Sequence, residues 1–202
     1  MAGASALMLA VAGASPANAQ TGDMTSEELV EALRDGGHVI FIRHAQTERD
    51  YADQIDAVMG DCSTQRTLSE EGWHEAREIG DAFARLDIPV GTVVSSQYCR
   101  AWQTADLAFG EYEQNADLNF EPAETYTNEQ TAAMRDRVVP HLGTVPPAGV
   151  NTVLVGHDDP FEAATGIYPE PMGITFVIVP QGDGAFEILG SIDPDAWPAS
   201  VD

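Results

Sequence analysis

Histidine and arginine side chains stand at or near the ends of apolar runs in this sequence. Arg43 and His44 end the first run, Arg100 follows the second by a few residues, and His157 ends the third. Guanidinium groups bind phosphate oxygens in a fork-shaped, bidentate geometry, and a neutral imidazole is a competent nucleophile at phosphorus. A second, protonated imidazole can stabilise the charge of a transferring phosphoryl group. Brought together, these four residues would suit phosphoryl transfer.

The apolar runs predict the buried strands of an α/β sheet. Continuous β-branched stretches at 38–42, 92–96 and 152–155 are typical of strands buried on both faces. With helices between them, such strands form a mostly parallel sheet, whose ligands bind beyond the carboxyl ends of the strands. Two further runs, 174–179 and 185–189, flank a glycine-rich turn and predict a hairpin. We therefore expect an α/β three-layer sandwich with a C-terminal hairpin at the sheet edge.

The remaining elements are predicted from helix spacing and capping residues. Four segments have these helix signals, at 25–33, 69–86, 98–109 and 128–142. Residues 118–120 predict a short strand. The polar stretch 45–68 predicts a long loop, and loops of that length inside compact domains are usually functional.

The charge balance is strongly acidic. Acidic residues number 33 against nine basic ones, all of them arginine, and the net charge is −24. Nucleic-acid affinity depends on Lys and Arg that neutralise phosphates, and anionic membranes attract basic surfaces, so neither is expected as a partner. Such a surface is typical of adaptation to high salt, where screening tolerates self-repulsion. The site around His44 is therefore expected to be a cationic pocket in an anionic protein.

Residues 1–20 have the composition of an export signal. The segment carries no charge, and its apolar run ends in Ala-Asn-Ala at 17–19, the small-x-small pattern of a signal-peptidase site, although the usual basic start is absent. We expect cleavage near Gln20 and a single mature domain over 21–202. That domain would be periplasmic or extracellular, with no stable membrane insertion once the signal is removed.

The chain has two cysteines, Cys62 and Cys99. In an oxidising compartment an even pair predicts a disulfide. The bond would close a loop of about 37 residues and stabilise the fold by about 3–4 kcal/mol on the chain-entropy model. Two separate buried thiols are the alternative.

Four segments resemble the motifs of the histidine phosphatase superfamily, which includes cofactor-dependent phosphoglycerate mutases and acid phosphatases. Arg-His-Ala at 43–45 is similar to the family's Arg-His-Gly/Ala motif, and Leu-Ser-Glu-Glu-Gly at 68–72 resembles its Leu-Ser/Thr-x-x-Gly helix start. Residues 95–105 follow the pattern Ser-Ser-x-x-x-Arg-x-x-x-Thr-Ala, and Gly-His at 156–157 completes the set. The four motifs occur in family order and span about residues 38–180.

The resemblance implies a phosphomonoesterase of the phosphoglycerate-mutase-like fold. Because the acidic surface disfavours highly anionic polymers, small phosphorylated compounds are the expected substrates by elimination. The resemblance also implies that His44 attacks phosphorus and becomes phosphohistidine, and that water then hydrolyses this intermediate. Arg43, Arg100 and His157 would surround the phosphoryl oxygens. No cofactor and no metal ligand are expected, and the sequence leaves the oligomeric state open.

Two carboxyl groups are candidates for the general acid that protonates the leaving oxygen. The family uses either a glutamate after the Arg100 helix, which would be Glu124 with Glu121 in the same region, or an aspartate directly after the second histidine, which would be Asp158. The donor must be protonated, so burial or a neighbouring acid has to raise its pKa. Asp159 would be that neighbour for Asp158, whereas Glu124 would depend on burial.

Three other functions stay open: a phosphomutase, a non-catalytic phosphate-binding domain of the same fold, and a metal hydrolase that uses His44, His157, Asp158 and Asp159. Mutases of the family are usually cytosolic and carry long substrate-specific insertions, which this short chain with an export-like start does not match. A binding domain would be expected to lack one of the two histidines. A metal site would need a ligand spacing such as His-Glu-x-x-His.

Several other polar residues are interpreted as structural. Ser96 lacks the Gly-x-Ser-x-Gly surroundings of a serine nucleophile. Arg66 and Gln46 are interpreted as loop residues, although both could reach a substrate. Surface or capping roles are expected for the histidines without motif support, which are His38, His74 and His141.

Overall fold

A six-stranded sheet forms the centre of the part of the chain that the computed structural model describes, which is residues 22, 24–50, 53, 57–123 and 125–201. Its order is β3-β2-β4-β1-β5-β6, and β1, β2, β3 and β4 run parallel. β5 is antiparallel to both β1 and β6, so the C-terminal hairpin closes one side of the sheet. The strands are β1 (Val39–Arg43), β2 (Val90–Ser95), β3 (Glu113–Gln114), β4 (Asn151–Gly156), β5 (Thr175–Gly182) and β6 (Ala185–Ile192).

Helices cover both faces of the sheet. They are α1 (Ser26–Arg34), α2 (Glu70–Arg85), α3 (Cys99–Phe109), α4 (Asn128–Gly143) and α5 (Asp158–Thr165). The fully buried strand β1 shows both layers: Ile40 and Ile42 belong to the core formed with α1, α2 and α3, while Phe41 belongs to the core formed with α4 and α5. The Phe41 ring stacks on Phe161 of α5 with 4.3 Å between centroids. The expected three-layer α/β sandwich with its edge hairpin is confirmed.

Helix α2 begins where its capping residue predicts and lies close against the loop after β1. The Ser69 hydroxyl accepts a hydrogen bond from the Gly72 N–H at 3.1 Å, which caps the helix. A Cβ added at Gly72 would lie 1.9 Å from the carbonyl oxygen of Gln46. Only glycine therefore allows α2 to approach the backbone two residues beyond His44.

Two local features differ from the sequence predictions. Residues 118–120 do not form a strand; Ala116–Leu118 is a 3-10 helix, and the short strand is β3, a few residues earlier. Helix α5 is not predicted from the sequence, because its first turn reads Asp-Asp-Pro and resembles a turn. Pro160 is accommodated there because the first turn of a helix leaves its N–H groups unpaired in any case.

The predicted export signal at 1–20 and the acid candidate Glu124 lie outside the described residues. Among the helices that the structure describes, none combines the length and apolarity needed to cross a membrane.

Candidate active site

Neighbouring strands end at one edge of the sheet, and the predicted site residues follow them. In the register of β1 and β4, Arg43 lies opposite Gly156, so His44 and His157 leave adjacent strand ends. The two imidazole rings lie 5.4 Å apart between centroids. Arg100, in the first turn of α3 after β2, donates from Nε to His44. The structure thus brings together the four residues that the sequence places near strand ends.

His44 is held as a neutral imidazole with a defined tautomer. The side chain is 3% exposed. Its Nδ1 lies 2.9 Å from the carbonyl oxygen of Ala45, which can only accept, so Nδ1 carries the hydrogen. Nε2 accepts from Arg100 Nε at 3.1 Å and therefore carries the lone pair. Burial, followed by the positive charges of Arg100 and Arg43, holds the pKa of His44 well below the ordinary histidine value.

His157 is buried more deeply, and only one of its ring nitrogens has a hydrogen-bond partner within the described part of the chain. The residue is 1% exposed, and the rings of Tyr98 and Phe120 meet its imidazole edge-on. Nε2 lies 2.8 Å from the Ser96 hydroxyl, whereas Nδ1 is buried without a hydrogen-bond partner among the described residues. Burial, with Arg100 and His44 as further causes, holds the pKa of His157 well below its usual value.

Arg43 is surrounded by acceptors. Its Nη1 donates to the Pro169 carbonyl oxygen at 2.7 Å and to Glu170 at 3.1 Å, and its Nη2 donates to Asp158 at 2.6 Å. The Tyr168 ring lies 5.4 Å from the guanidinium carbon. The Nε of Arg43 is buried without a partner within the described residues. The Nε donor of this guanidinium is therefore left for a ligand oxygen.

Arg100 is paired with a carboxylate from the long loop. Its Nη1 donates to both carboxylate oxygens of Asp53, at 2.9 and 3.1 Å. The guanidinium also lies over the rings of Tyr98 and Phe120, 5.3 and 5.1 Å from their centroids. Asp53 additionally accepts from the backbone N–H of Arg66 at 2.8 Å. The loop carboxylate thus occupies a position on Arg100 that a phosphate oxygen would compete for.

The expected cationic pocket is in fact close to charge balance. Arg43 and Arg100 face three carboxylates, from Asp158, Glu170 and Asp53. Arg66 adds a third guanidinium nearby: burial and repulsion from Arg100 lower the pKa of Arg66. The sequence favoured a loop role for Arg66 but left contact with a substrate open, and the absence of lysine makes every arginine worth testing as a phosphate ligand.

Besides the Asp53–Arg100 pair, two further contacts tie the long loop to the start of α3. Cys62 and Cys99 are joined by a disulfide, 37 residues apart in the sequence. The fully buried Gln65 accepts from the Cys99 N–H at 2.8 Å. Because Cys99 directly precedes Arg100, both contacts hold the loop against the turn of helix that carries this arginine.

The acid candidates differ in their surroundings. Asp158 accepts hydrogen bonds at both oxygens: from Arg43 and the Tyr168 hydroxyl at Oδ2, and from the Asp159 N–H at Oδ1. Glu121, in the same region as Glu124, is paired with Arg137 at 2.7 Å instead of facing the histidines. The structure describes no contact of Glu124, so Asp158 is the described candidate that lies within the site.

Asp159 lies beside Asp158 in partly buried surroundings. Burial raises the pKa of Asp159, and repulsion from Asp158 acts in the same direction. The hydrogen bond that Asp159 accepts from the Tyr126 hydroxyl at 2.8 Å opposes this rise in pKa, because it stabilises the ionised carboxylate. The repulsion that the sequence suggested for this pair thus acts on Asp159.

Sequence reasoning did not find Asp53, Tyr168 or Asn119. Asp53 and Tyr168 come from connecting segments, and only the fold brings them to the arginines. Asn119 lies in a segment predicted as a strand, where a side chain that accepts from Ser96 is not foreseeable. The helix-start motif at 68–72 predicts where the long loop ends, but it does not predict which residues of the loop reach the site.

Comparisons with known proteins agree with this arrangement. Residues 39–122 match the model of the histidine phosphatase superfamily, branch 1. This match confirms the resemblance seen in the sequence over residues 39–122. No curated protein sequence matches the chain.

Solved structures of similar fold include the protein histidine phosphatase SixA complexed with tungstate, at 14% identity and a TM-score of 0.52, covering 78% of this chain and 97% of that one. A mutant phosphoserine phosphatase from Entamoeba histolytica in complex with phosphoserine is similar at 13% identity and a TM-score of 0.54, covering 80% and 99%. TTHB049 from Thermus thermophilus is similar at 20% identity and a TM-score of 0.54, covering 77% and 99%. At these identities the likeness concerns the fold.

Proposed function

We propose that the chain is a phosphomonoester hydrolase that acts on small phosphorylated compounds through a phosphohistidine at His44. The observation that carries the proposal is the state of this residue: a buried, neutral imidazole whose Nε2 lone pair faces the guanidinium of Arg100. A phosphoryl group that replaces this contact meets a nucleophile and an oxygen ligand at the same point. The match of residues 39–122 to a superfamily of phosphatases and mutases supports the same reaction class.

The reaction would proceed in two displacements. First, the Nε2 lone pair of His44 forms a P–N bond while the P–O ester bond breaks, and the leaving oxygen takes the bonding electron pair and a proton from the general acid. Water then attacks phosphorus, the P–N bond returns its electrons to Nε2, and the water's proton passes to the carboxylate formed in the first step. Arg43, Arg100 and His157 would neutralise the equatorial oxygens throughout.

Glu124 and Asp158 are the two proposed proton donors. Because Asp158 accepts at both oxygens, its donation would require phosphate to take over its contact with Arg43. The variants Glu124→Gln and Asp158→Asn distinguish the two. Loss of the true donor should slow esters with poor leaving groups much more than aryl esters whose leaving oxygen needs no proton.

The proposed location is periplasmic or extracellular. The Cys62–Cys99 disulfide supports an oxidising compartment, and the uncharged segment 1–20 supports export. The net charge of −24 supports small phosphomonoesters over anionic polymers as substrates.

The direct test is release of inorganic phosphate from an aryl phosphate in the presence of a chelator. We expect chelator-resistant activity in the wild type, its loss in His44→Ala, and near-normal activity in His74→Ala, which changes an exposed histidine of α2. Rapid quenching should trap an acid-labile, base-stable phosphoprotein only when His44 is present. Activity that survives His44→Ala would disprove the mechanism, and phosphate transfer to an acceptor without net release would indicate a mutase.

A further inference from the structure

Ser96 lies between His157 and a polar network that the proposed reaction does not otherwise use. The residue is fully buried at the end of β2. Its Oγ lies 2.8 Å from Nε2 of His157 and 2.8 Å from Oδ1 of Asn119, and it accepts from the Tyr98 N–H at 3.2 Å. Ser96 is thus the only hydrogen-bond partner of His157's imidazole among the described residues.

The orientation of the Asn119 amide is determined by the backbone. Its oxygen accepts from the Gln97 N–H at 2.9 Å, and its nitrogen donates to the Gln97 side-chain oxygen at 3.0 Å. A flipped amide would place two donors against each other at the backbone contact. The atom that faces Ser96 is therefore an oxygen, which can only accept.

The proton positions follow from this acceptor. A serine hydroxyl has one hydrogen, and two oxygens at 2.8 Å need a hydrogen between them, so the Ser96 hydrogen points to Asn119. Towards His157, Ser96 then presents only a lone pair. Nε2 of His157 must donate to it, which leaves the lone pair of the neutral imidazole on Nδ1, the buried atom for which the described residues provide no partner.

We infer that Ser96 and Asn119 are positioning residues that hold His157 as the Nε2–H tautomer, so that it binds a phosphoryl oxygen only after Nδ1 takes up a proton. This inference rests on the proposed function for its phosphoryl ligand, but not for the tautomer. His157 and His44 would then be opposite tautomers. His44 presents a bare Nε2 to attack phosphorus, and His157 presents Nδ1 to be protonated.

The consequence for the substrate is a requirement for one proton. A phosphomonoester loses its second proton near pH 6, so the dianion dominates at pH 7. A dianion would meet the Nδ1 lone pair with repulsion. Either the monoanion passes its proton to Nδ1 on binding, or the dianion binds together with a proton from water. In both cases the complex contains an imidazolium against a dianion, and binding should weaken up to tenfold per pH unit above neutrality.

Histidine-selective NMR of the wild-type protein tests the tautomer without any substrate. Long-range nitrogen–proton correlation spectra should show His157 with hydrogen on Nε2 and a bare Nδ1. Addition of inorganic phosphate at pH 7.5 should convert it to the doubly protonated form. A free protein with hydrogen on Nδ1 of His157 would overturn the inference, as would a bound state that stays neutral at this ring.

Variants at Ser96 and Asn119 test the cause. Ser96→Ala removes the acceptor for Nε2–H, so we expect kcat/KM to fall about 10- to 100-fold, the range of one hydrogen bond to a charged group. Asn119→Asp keeps the contacts that accept from Ser96 and from the Gln97 N–H, and it adds a negative charge. The pH midpoint for protonation of His157 should therefore move up in this variant and down in Ser96→Ala. Ser95→Ala is the matched control, since Ser95 is equally buried and donates to the Ser96 carbonyl oxygen instead of a histidine.

Shifts of equal sign in Ser96→Ala and Asn119→Asp would contradict the positioning role, because structural damage alone has no reason to raise the midpoint in one and lower it in the other. Failure of the proposed function is a separate result. If no phosphate binds and no ester is hydrolysed while the Nε2–H tautomer is observed, the tautomer assignment stands and the reaction is wrong.

Discussion

Replacement of Asp53 by asparagine should tighten phosphate binding. Asp53 accepts two hydrogen bonds from Nη1 of Arg100. The Arg100 side chain is 8% exposed and the Asp53 side chain is 22% exposed. A phosphoryl oxygen that approaches His44 must compete with this carboxylate for the guanidinium. Asparagine has nearly the same shape and can still accept from the Arg66 N–H, so the exchange removes mainly the charge.

The size of the effect follows from the charge that the exchange removes. Because Arg100 stays charged, the asparagine keeps a hydrogen bond to a charged group and loses only the attraction between two opposite charges, which contributes about 1 kcal/mol in a partly exposed pair. A difference of about 1 kcal/mol corresponds to roughly fivefold in the dissociation constant of phosphate. Removal of the repulsion between Asp53 and the phosphate dianion acts in the same direction, so about fivefold is the lower limit.

The assay is competitive inhibition of aryl phosphate hydrolysis by inorganic phosphate at fixed salt, or direct calorimetric titration with phosphate. Asp136→Asn is the matched control, because Asp136 also pairs with an arginine, Arg135, but at the exposed surface. Both variants make the net charge of −24 less negative by one. If Asp53→Asn binds phosphate no more tightly than Asp136→Asn does, phosphate does not compete for Nη1 of Arg100 and our description of the binding geometry is wrong.

Three further predictions concern the supports of the site. The double variant Cys62→Ser, Cys99→Ser should lose about 3–4 kcal/mol of unfolding free energy in oxidising denaturant titrations, and an unchanged midpoint would show that the loop is already ordered without the bond. Gly72→Ala should lose about 1–3 kcal/mol of unfolding free energy and also activity, since its methyl group collides with the backbone of Gln46, two residues beyond His44; normal kinetics would contradict this. Burial raises the pKa of Glu75 from 4.5 to about 7, so the native carboxyl keeps its proton where the unfolded one has lost it, and stability falls as the pH rises through that window. As the pH rises from 4.5 to 8, the unfolding free energy of Glu75→Gln should therefore increase by about 1–2 kcal/mol relative to wild type, a value reduced because the carboxyl group is partly exposed. Glu78→Gln, which changes an exposed residue, should show no such increase.

The order of strands and helices was predictable because hydrophobic spacing is strong in this chain. The run from Val39 to Ile42 is apolar on both faces, and such a run is stable only in the middle of a covered sheet, which is where β1 lies. Short elements were less predictable. The segment at 116–120 becomes a 3-10 helix because the Asn115 side chain accepts from the Asp117 N–H, a local contact that outweighs weak strand propensity.

The four site residues could be placed from the sequence because each lies at or just after a strand end, and parallel strands bring their ends together. The residues that pair with the two arginines could not be placed from the sequence. Asp53 reaches Arg100 across 47 residues, from a loop whose path depends on the disulfide and on Gln65. The charge balance of the pocket could therefore not be predicted from the sequence, although the sequence placed both arginines near strand ends, where the structure has them.

The binding free energy of phosphate should depend on two atoms that have no hydrogen-bond partner among the residues that the structure describes. Nη1 and Nη2 of Arg43 already donate to oxygen acceptors, so a phosphate oxygen that replaces one of these exchanges one charge-assisted hydrogen bond for another. Nε of Arg43 and Nδ1 of His157 are different, because both are buried and unpaired within the described part of the chain. An unpaired buried polar atom costs about 1–3 kcal/mol, and a ligand that pairs both atoms recovers that cost. A phosphoryl group with one proton does so, since an oxygen accepts from Nε while the proton on Nδ1 completes the second contact. In a protein this acidic, phosphate selectivity therefore follows from unpaired donors and acceptors more than from net positive charge.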